Sequence, residues 1–111
     1  MKNGSKYPPF TEQCIPEVSD LNVLQRYRRL GVATNLLDYL ERIAARRSPT
    51  VGLGVGLYAD YGAAQRIYVR RGYLPDGRGV MYANQPVSAG RTVALDDNTT
   101  LMFTKQLDLD R

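Results

Sequence analysis

The 111-residue chain contains no histidine and no tryptophan, one cysteine, and no long apolar run. Without histidine, neither a Ser-His-Asp nor a Cys-His nucleophile can be built, and no metal can be held by imidazole. Cys14 alone excludes an intrachain disulfide framework and a cysteine-rich zinc site, and a lone thiol fits a reducing cytosol. The longest near-apolar run, Val51 to Ala59, falls far short of the ~18 residues that span a bilayer. Met1 to Lys6 is polar with no apolar stretch behind it, unlike a secretory signal. These absences point to a soluble, cytoplasmic protein with no membrane partner.

What is present is ordinary for a globular chain. Apolar residues make up 43% and charged residues 23%, which argues against wholesale disorder. The length suits a single domain, residues 1–111, able to bury a core of its own. The net charge of +4 is uneven. Between Arg26 and Arg71 nine arginines face only Asp38, Glu41 and Asp60, a local +6, while the remainder is −2. A basic middle suits a polyanion: nucleic acid, an anionic surface, or a phosphorylated cofactor. Arg42, Arg46 and Arg47 end a helix, where cations suit the helix dipole anyway.

Periodicity divides the chain. Cys14 to Leu24 reads as a strand with an imperfect alternation, after a polar stretch broken by Pro8-Pro9. Val32, Leu36, Leu37, Leu40, Ile43 and Ala44 recur at helical spacing from Gly31 to about Arg47, and Ser48-Pro49 stops the helix. Val51, Leu53, Val55 and Leu57 alternate strictly with Gly52, Gly54 and Gly56. This is a strand with one bare face, open to close approach by another element or a ligand. The glycine spacing does not match a dinucleotide fingerprint. A second helix runs from about Tyr61 to Arg71, with Ala64, Ile67 and Tyr68 inward and Gly72 just past its end. Pro75 to Gly79 reads as a turn, Val80 to about Asn84 and Thr99 to Leu107 as strands, and Gln85 to Asn98 as a long polar loop. The order β-α-β-α-β-β is α+β, with one parallel crossover and an antiparallel tail.

Two constellations carry chemistry. The first is Arg28-x-x-Gly31-x-Ala33-Thr34, a basic turn that opens a helix directly after a strand. The first N–H groups of a helix lack intrahelical acceptors and, with the dipole, can hold a phosphate. Gly31 and Ala33 are small enough to let a pyrophosphate approach, and Thr34 adds a hydroxyl. The second is Ala64-x-x-Ile67-Tyr68, followed by Arg70-Arg71-Gly72-Tyr73. Taken alone, each also fits a plain helix start or a core aromatic.

In series they are more specific. From Ile15 to Leu74, over more than half of the chain, the sequence resembles the GNAT superfamily of N-acetyltransferases. The resemblance runs through Leu21-x-Val23, Arg28-x-x-Gly31-x-Ala33, a helix, the Val51 to Leu57 strand, Ala64-x-x-Ile67-Tyr68 and Gly72-Tyr73. Pro75-Asp76-Gly77, Asp96-Asp97 and Lys105 also look like the C-terminal strands of some members. The resemblance implies a GNAT-like mixed sheet and transfer of acetyl from acetyl-CoA, as cosubstrate and without a metal, directly to a primary amine. It implies that Arg28, Arg29, Gly31, Val32, Ala33 and Thr34 cradle the CoA pyrophosphate. The backbone at Asn22 and Val23 would pair with the pantetheine arm, and the acetyl group would lie where this strand splays from the next. Tyr68 matches the residue that protonates the departing thiolate. Glu17 stands where several members place the general base, with Asp20 and bulk water as alternatives. Backbone N–H groups can stabilise the oxyanion, so nothing in this chemistry needs the missing histidine.

The chain departs from the family pattern at two places. Tyr61 stands where an asparagine usually helps hold the pantetheine arm, so that contact either passes to Tyr61 or is lost to packing. The usual N-terminal strand and helices are absent here, and Tyr7-Pro8-Pro9-Phe10 reads as the remnant of a last missing strand and its turn. The Cys14 to Val23 strand would then expose an edge and an apolar face. A second copy of the chain, as a homodimer, or another partner would cover them. This loss also leaves an alternative function, a truncated module that binds CoA or a partner without efficient turnover. A third reading, nucleic-acid binding through the basic middle, predicts a steep salt dependence, but the phosphate site and helix ends already account for those arginines. The acceptor, a small molecule or a protein amine, stays open. Asp96 and Asp97 are either a lure for a cationic amine or a solvated turn.

Overall fold

The computed structural model describes residues 5–18 and 30–107, residues 30–33 by their place in a helix alone. In chain order the elements are α1 (Pro8–Glu12), β1 (Glu17–Val18), α2 (Leu30–Ala45), β2 (Thr50–Gly56), a 3₁₀ turn (Ala59–Tyr61), α3 (Gly62–Arg70), β3 (Leu74–Tyr82), β4 (Gln85–Pro86) and β5 (Thr99–Gln106). The five strands form one sheet in the order β1-β2-β5-β3-β4. β1 and β2 are parallel, and every other pairing is antiparallel. The expected α+β class, parallel crossover and antiparallel tail are therefore present.

The alternation in β2 decides what lies on each side of the sheet. Val51, Leu53 and Val55 are buried on the face covered by α2 and α3, with Val18, Leu37, Ala44, Ala64, Tyr68, Tyr73 and Phe103. Gly52, Gly54 and Gly56 look the other way, where a smaller cluster of Tyr7, Phe10, Ile15, Met81 and Met102 collects. The bare face anticipated for β2 is thus covered by the chain's own side chains. A Cβ at Gly52 would overlap the Phe10 ring, one at Gly56 the Tyr61 ring, and one at Gly54 would sit 2.7 Å from Met102 Sδ.

Phe10 reaches that position because Tyr7-Pro8-Pro9-Phe10 is not the remnant of a strand. The prolines fill the first positions of a short helix, where a missing N–H costs nothing and the fixed φ is already helical. Tyr7 and Phe10 meet edge to face at 4.8 Å, and both are buried. Burying two such rings is worth roughly 2 kcal/mol each, which holds an otherwise marginal five-residue helix in place. Nor does the strand begin at Cys14. That residue has φ +55°, Ile15 donates its N–H back to the Phe10 carbonyl at 2.9 Å, and pairing starts at Glu17. Residues 19–24 of the anticipated strand lie outside the described residues.

The C-terminus of α3 closes as its glycine suggests. Gly72 takes φ +94°, Tyr73 N–H donates to Tyr68 O at 3.0 Å and Gly72 N–H to Val69 O at 3.1 Å. These two bonds satisfy carbonyls that the last helical turn leaves over. The Pro75–Gly79 stretch is a bulged excursion within β3 rather than a turn between elements, since pairing with β5 jumps from Pro75–Phe103 to Val80–Leu101. Gly77 and Gly79, both at positive φ, absorb the extra residues. The anticipated polar loop also contains β4, which leaves β3 through a two-residue turn at Ala83 (φ +50°) and Asn84 (φ +67°). That is the primed geometry a twisted hairpin needs. No helix among the described residues is long and apolar enough to cross a membrane.

Candidate active site

Tyr68 projects from the middle of α3 into the larger cluster and is wholly shielded from solvent. Its ring lies 5.8 Å from that of Tyr73. The two phenols differ in one respect. Tyr73 donates to Glu41 Oε2 at 2.9 Å, whereas the Tyr68 hydroxyl has no hydrogen-bond partner. A buried hydroxyl without a partner forfeits about 1–3 kcal/mol. Burial, with a smaller contribution from Tyr61, pushes the Tyr68 phenol well above its ordinary range, so it keeps its proton at neutral pH.

Tyr61 ends the 3₁₀ turn that leads into α3. Its ring lies against Gly56, and its hydroxyl donates to Asp97 Oδ1 at 2.9 Å. Tyr58 donates to the same oxygen, and the two rings meet edge to face at 5.1 Å. The two phenolic donors hold the Asp97 carboxyl below its usual range. Asp96 accepts from the Tyr82 hydroxyl at 3.1 Å and from Asn98 N–H at 2.8 Å. These aspartates are therefore engaged in tying their loop to β3 and to the 3₁₀ turn with its N-cap Tyr58. Gln65 adds a bond from Nε2 to Gly56 O at 2.8 Å.

Glu17 lies on the other side. It pairs with Gly52 in the β1–β2 register and accepts a hydrogen bond from the Ser5 hydroxyl, which itself accepts from Tyr7 N–H at 2.9 Å. Val18, opposite Leu53, faces the helices. The alternation thus puts Glu17 and Tyr68 on opposite faces of the sheet. A cavity of about 190 Å³ opens beside α1, its lining including Ser5, Phe10, Ile15 and Arg47.

Gly54 is partly exposed, although Leu53 and Val55 on either side are buried. It comes directly after Leu53, the last β2 residue paired with the described part of β1. On its bare side the buried Met102 side chain packs against it, with Sδ 2.7 Å from where a Cβ would stand.

The other residues singled out from the sequence divide in two. Gly31, Val32, Ala33 and Thr34 all lie within the first turns of α2, where a phosphate cradle needs them. Asn22, Val23, Arg28 and Arg29 lie outside the described residues. Sequence reasoning passed over Ser5 and read Tyr7 and Phe10 as part of a strand remnant, although proline at the first helical positions is a legible start signal. It also missed the clasp around Glu41, which joins Arg71 (3.0 Å), Lys105 (2.9 Å) and the Tyr73 hydroxyl, with Arg71 also on Asp38 at 2.8 Å. That clasp ties α2 to β5 and to the end of α3.

Residues 4–73, more than half of the chain, match the family model described as Acetyltransferase (GNAT) family. No curated protein and no solved structure matches the chain.

Proposed function

The chain belongs to the acetyltransferase (GNAT) family, and from that premise we propose that it moves an acetyl group from acetyl-CoA directly to a primary amine in the cytoplasm. The observation that carries this reading is the Tyr68 hydroxyl, buried without a partner on the inner face of α3. The cosubstrate supplies an activated thioester, whose carbonyl carbon the amine attacks.

The residues then divide the work. The first turns of α2, with Gly31, Val32, Ala33 and Thr34, receive the pyrophosphate, helped by Arg28 and Arg29. The backbone at Asn22 and Val23 pairs with the pantetheine arm. Tyr61, seated on Gly56, walls that arm rather than hydrogen-bonding it, since its hydroxyl is already on Asp97. An alkylamine has a pKa near ~10.4 and must lose a proton before it attacks; Glu17 takes that proton directly or through water. The new C–N bond forms as the C–S bond breaks, and the nitrogen, cationic once bonded, gives its surplus proton to water. The Tyr68 hydroxyl donates to the departing sulfur, which leaves as the thiol, and the phenol is restored by a proton from water. Backbone N–H groups near Gly54 are suitable donors to the oxyanion.

Calorimetric titration of acetyl-CoA into the chain, with an Arg28→Glu, Gly31→Glu double variant alongside, tests the cofactor half. Binding near one-to-one that the variant loses supports it; a folded chain that binds nothing refutes it. An amine panel tests the reaction, and turnover abolished by Tyr68→Phe is the expected result. Saturable binding without turnover would favour a CoA-binding module instead. β1 stands at the edge of the sheet, so a second copy covering that edge is also proposed. A monodisperse monomer in light scattering would remove it.

A further inference from the structure

The Glu17 side chain is held by a residue twelve positions earlier in the chain. Ser5 donates its hydroxyl to Glu17 Oε1 and accepts from Tyr7 N–H at 2.9 Å. A serine hydroxyl has one proton to give. With Tyr7 N–H on a lone pair, that proton is directed at the carboxylate. Ser5 is itself braced. Thr11, within α1, donates from Oγ1 to the Ser5 carbonyl at 2.5 Å. Tyr7, buried and edge to face with Phe10, donates to Asp76 Oδ2 at 2.6 Å. The Asp76 side chain is almost wholly buried and also accepts from Arg78 N–H at 3.0 Å. The excursion in β3 thus anchors one end of a run of hydrogen bonds, and the carboxylate of β1 forms the other.

We propose that Ser5 is a positioning residue for the general base, holding Glu17 by Oε1 and leaving Oε2 to take the amine proton. The proposal rests on the acetyltransferase reading and adds to it the group that aims the base. A free glutamate side chain samples many rotamers, whereas a base must lie within hydrogen-bond reach of the proton it takes. A hydrogen bond from a braced hydroxyl removes much of that freedom. The bond also survives the proton transfer. The ammonium N–H bond breaks and an O–H bond forms at Oε2, while Oε1 becomes the carbonyl oxygen of the acid and still accepts from Ser5. The proton then passes to water. Ser5 touches neither amine nor cofactor in this scheme; its action passes through Glu17. A bond that only fastened residues 5–7 to β1 would act on stability instead. Glutamine at position 17 keeps a carbonyl oxygen for Ser5 and loses the base, which separates the two roles.

The test uses the full chain with acetyl-CoA and n-butylamine, lysine amide or spermidine, whichever is acetylated fastest. Ser5→Ala is expected to lower kcat about tenfold and to leave the calorimetric affinity for acetyl-CoA unchanged. Ser5→Thr, which restores a hydroxyl, should return kcat to within about threefold of the unaltered chain. In a Glu17→Gln background, Ser5→Ala should change kcat by less than about twofold. Three-bond couplings in the Glu17 side chain, read by NMR with no acceptor present, should report one rotamer in the unaltered chain and in Ser5→Thr, and averaging in Ser5→Ala. Couplings that ignore Ser5→Ala overturn the positioning. So does an unchanged kcat in Ser5→Ala, or a tenfold loss that persists in Glu17→Gln. A chain that binds no acetyl-CoA, or acetylates none of these amines, refutes the acetyltransferase reading, and the role of Ser5 falls with it even where the couplings respond. Turnover that ignores Ser5 refutes the positioning alone.

Discussion

Glu17 and Tyr68 stand on opposite faces of one sheet. An acid and a base on one face would contend for the same space. Here a carboxylate serves the side that α1 covers and a phenol the side that the helices cover. The proposed reaction draws on one group from each face.

Tyr68→Phe separates a chemical role for the hydroxyl from a packing role. The phenol has no partner to lose, so its removal should leave stability unchanged or raise it by about 1 kcal/mol. If it donates to the leaving sulfur, kcat should fall by ~10²-fold or more while acetyl-CoA affinity holds. Urea unfolding and steady-state kinetics on the same variant check both. Because the phenol titrates above its ordinary range, the pH profile of the unaltered chain should show no alkaline fall from Tyr68 below pH ~10.

The clasp at Glu41 predicts an acid sensitivity. Burial pushes its carboxyl up, but hydrogen bonds from Arg71, Lys105 and Tyr73 outweigh burial and hold it below the usual carboxylate range. A carboxylate whose folded pKa is depressed contributes stability above its unfolded pKa and loses that contribution as pH falls through the folded one. Stability should therefore decline below about pH 4.5, and Glu41→Gln should flatten that decline. The same variant leaves Arg71 and Lys105 half-paired and should cost about 3 kcal/mol at pH 7. Urea midpoints measured from pH 3 to pH 7 read both effects.

Gly52→Ala should act through α1. Its Cβ would overlap the Phe10 ring, which is buried and braced by Tyr7. A cost of about 1–3 kcal/mol is expected, with faster amide exchange in Pro8–Glu12. In a Phe10→Leu background the added cost should shrink, and a double-mutant cycle measures that coupling. Simple additivity would show that the two residues do not touch.

Gly72→Ala tests the end of α3. At φ +94° a side chain is strained whatever space surrounds it, so the substitution should cost about 1 kcal/mol by thermal or urea unfolding. Gly62→Ala is the control, since Gly62 has helical φ and open space around a Cβ, and should be neutral or slightly stabilising.

Much of the fold could be read from local patterns. The strict alternation of Val51, Leu53 and Val55, the helical spacing of Leu36, Leu37, Leu40 and Ala44, and Gly72 past Arg70 each depend on neighbours a few positions away. Each element appears where its pattern puts it. The motif run from the helix start at Gly31 to Tyr68 carried the family in the same way, because its spacing is itself local. The bulge at 76–79 was harder, since Gly77 and Gly79 mark a bend without saying whether it lies within a strand or between two, and Ala83 does not mark its positive φ as a glycine would.

By itself, then, the sequence determined α2, β2, α3 and β5, the bare face of β2 and the family. Only the tertiary structure decided what that face meets. A glycine strip announces close approach without saying by whom, and here Phe10, Met102 and Tyr61 arrive from three separate elements. Glu17 and Tyr68 on opposite faces, and a phenol left without a partner, are likewise products of register and packing. Period and propensity act over one or two turns of chain, whereas contacts between distant segments depend on how the whole sheet closes.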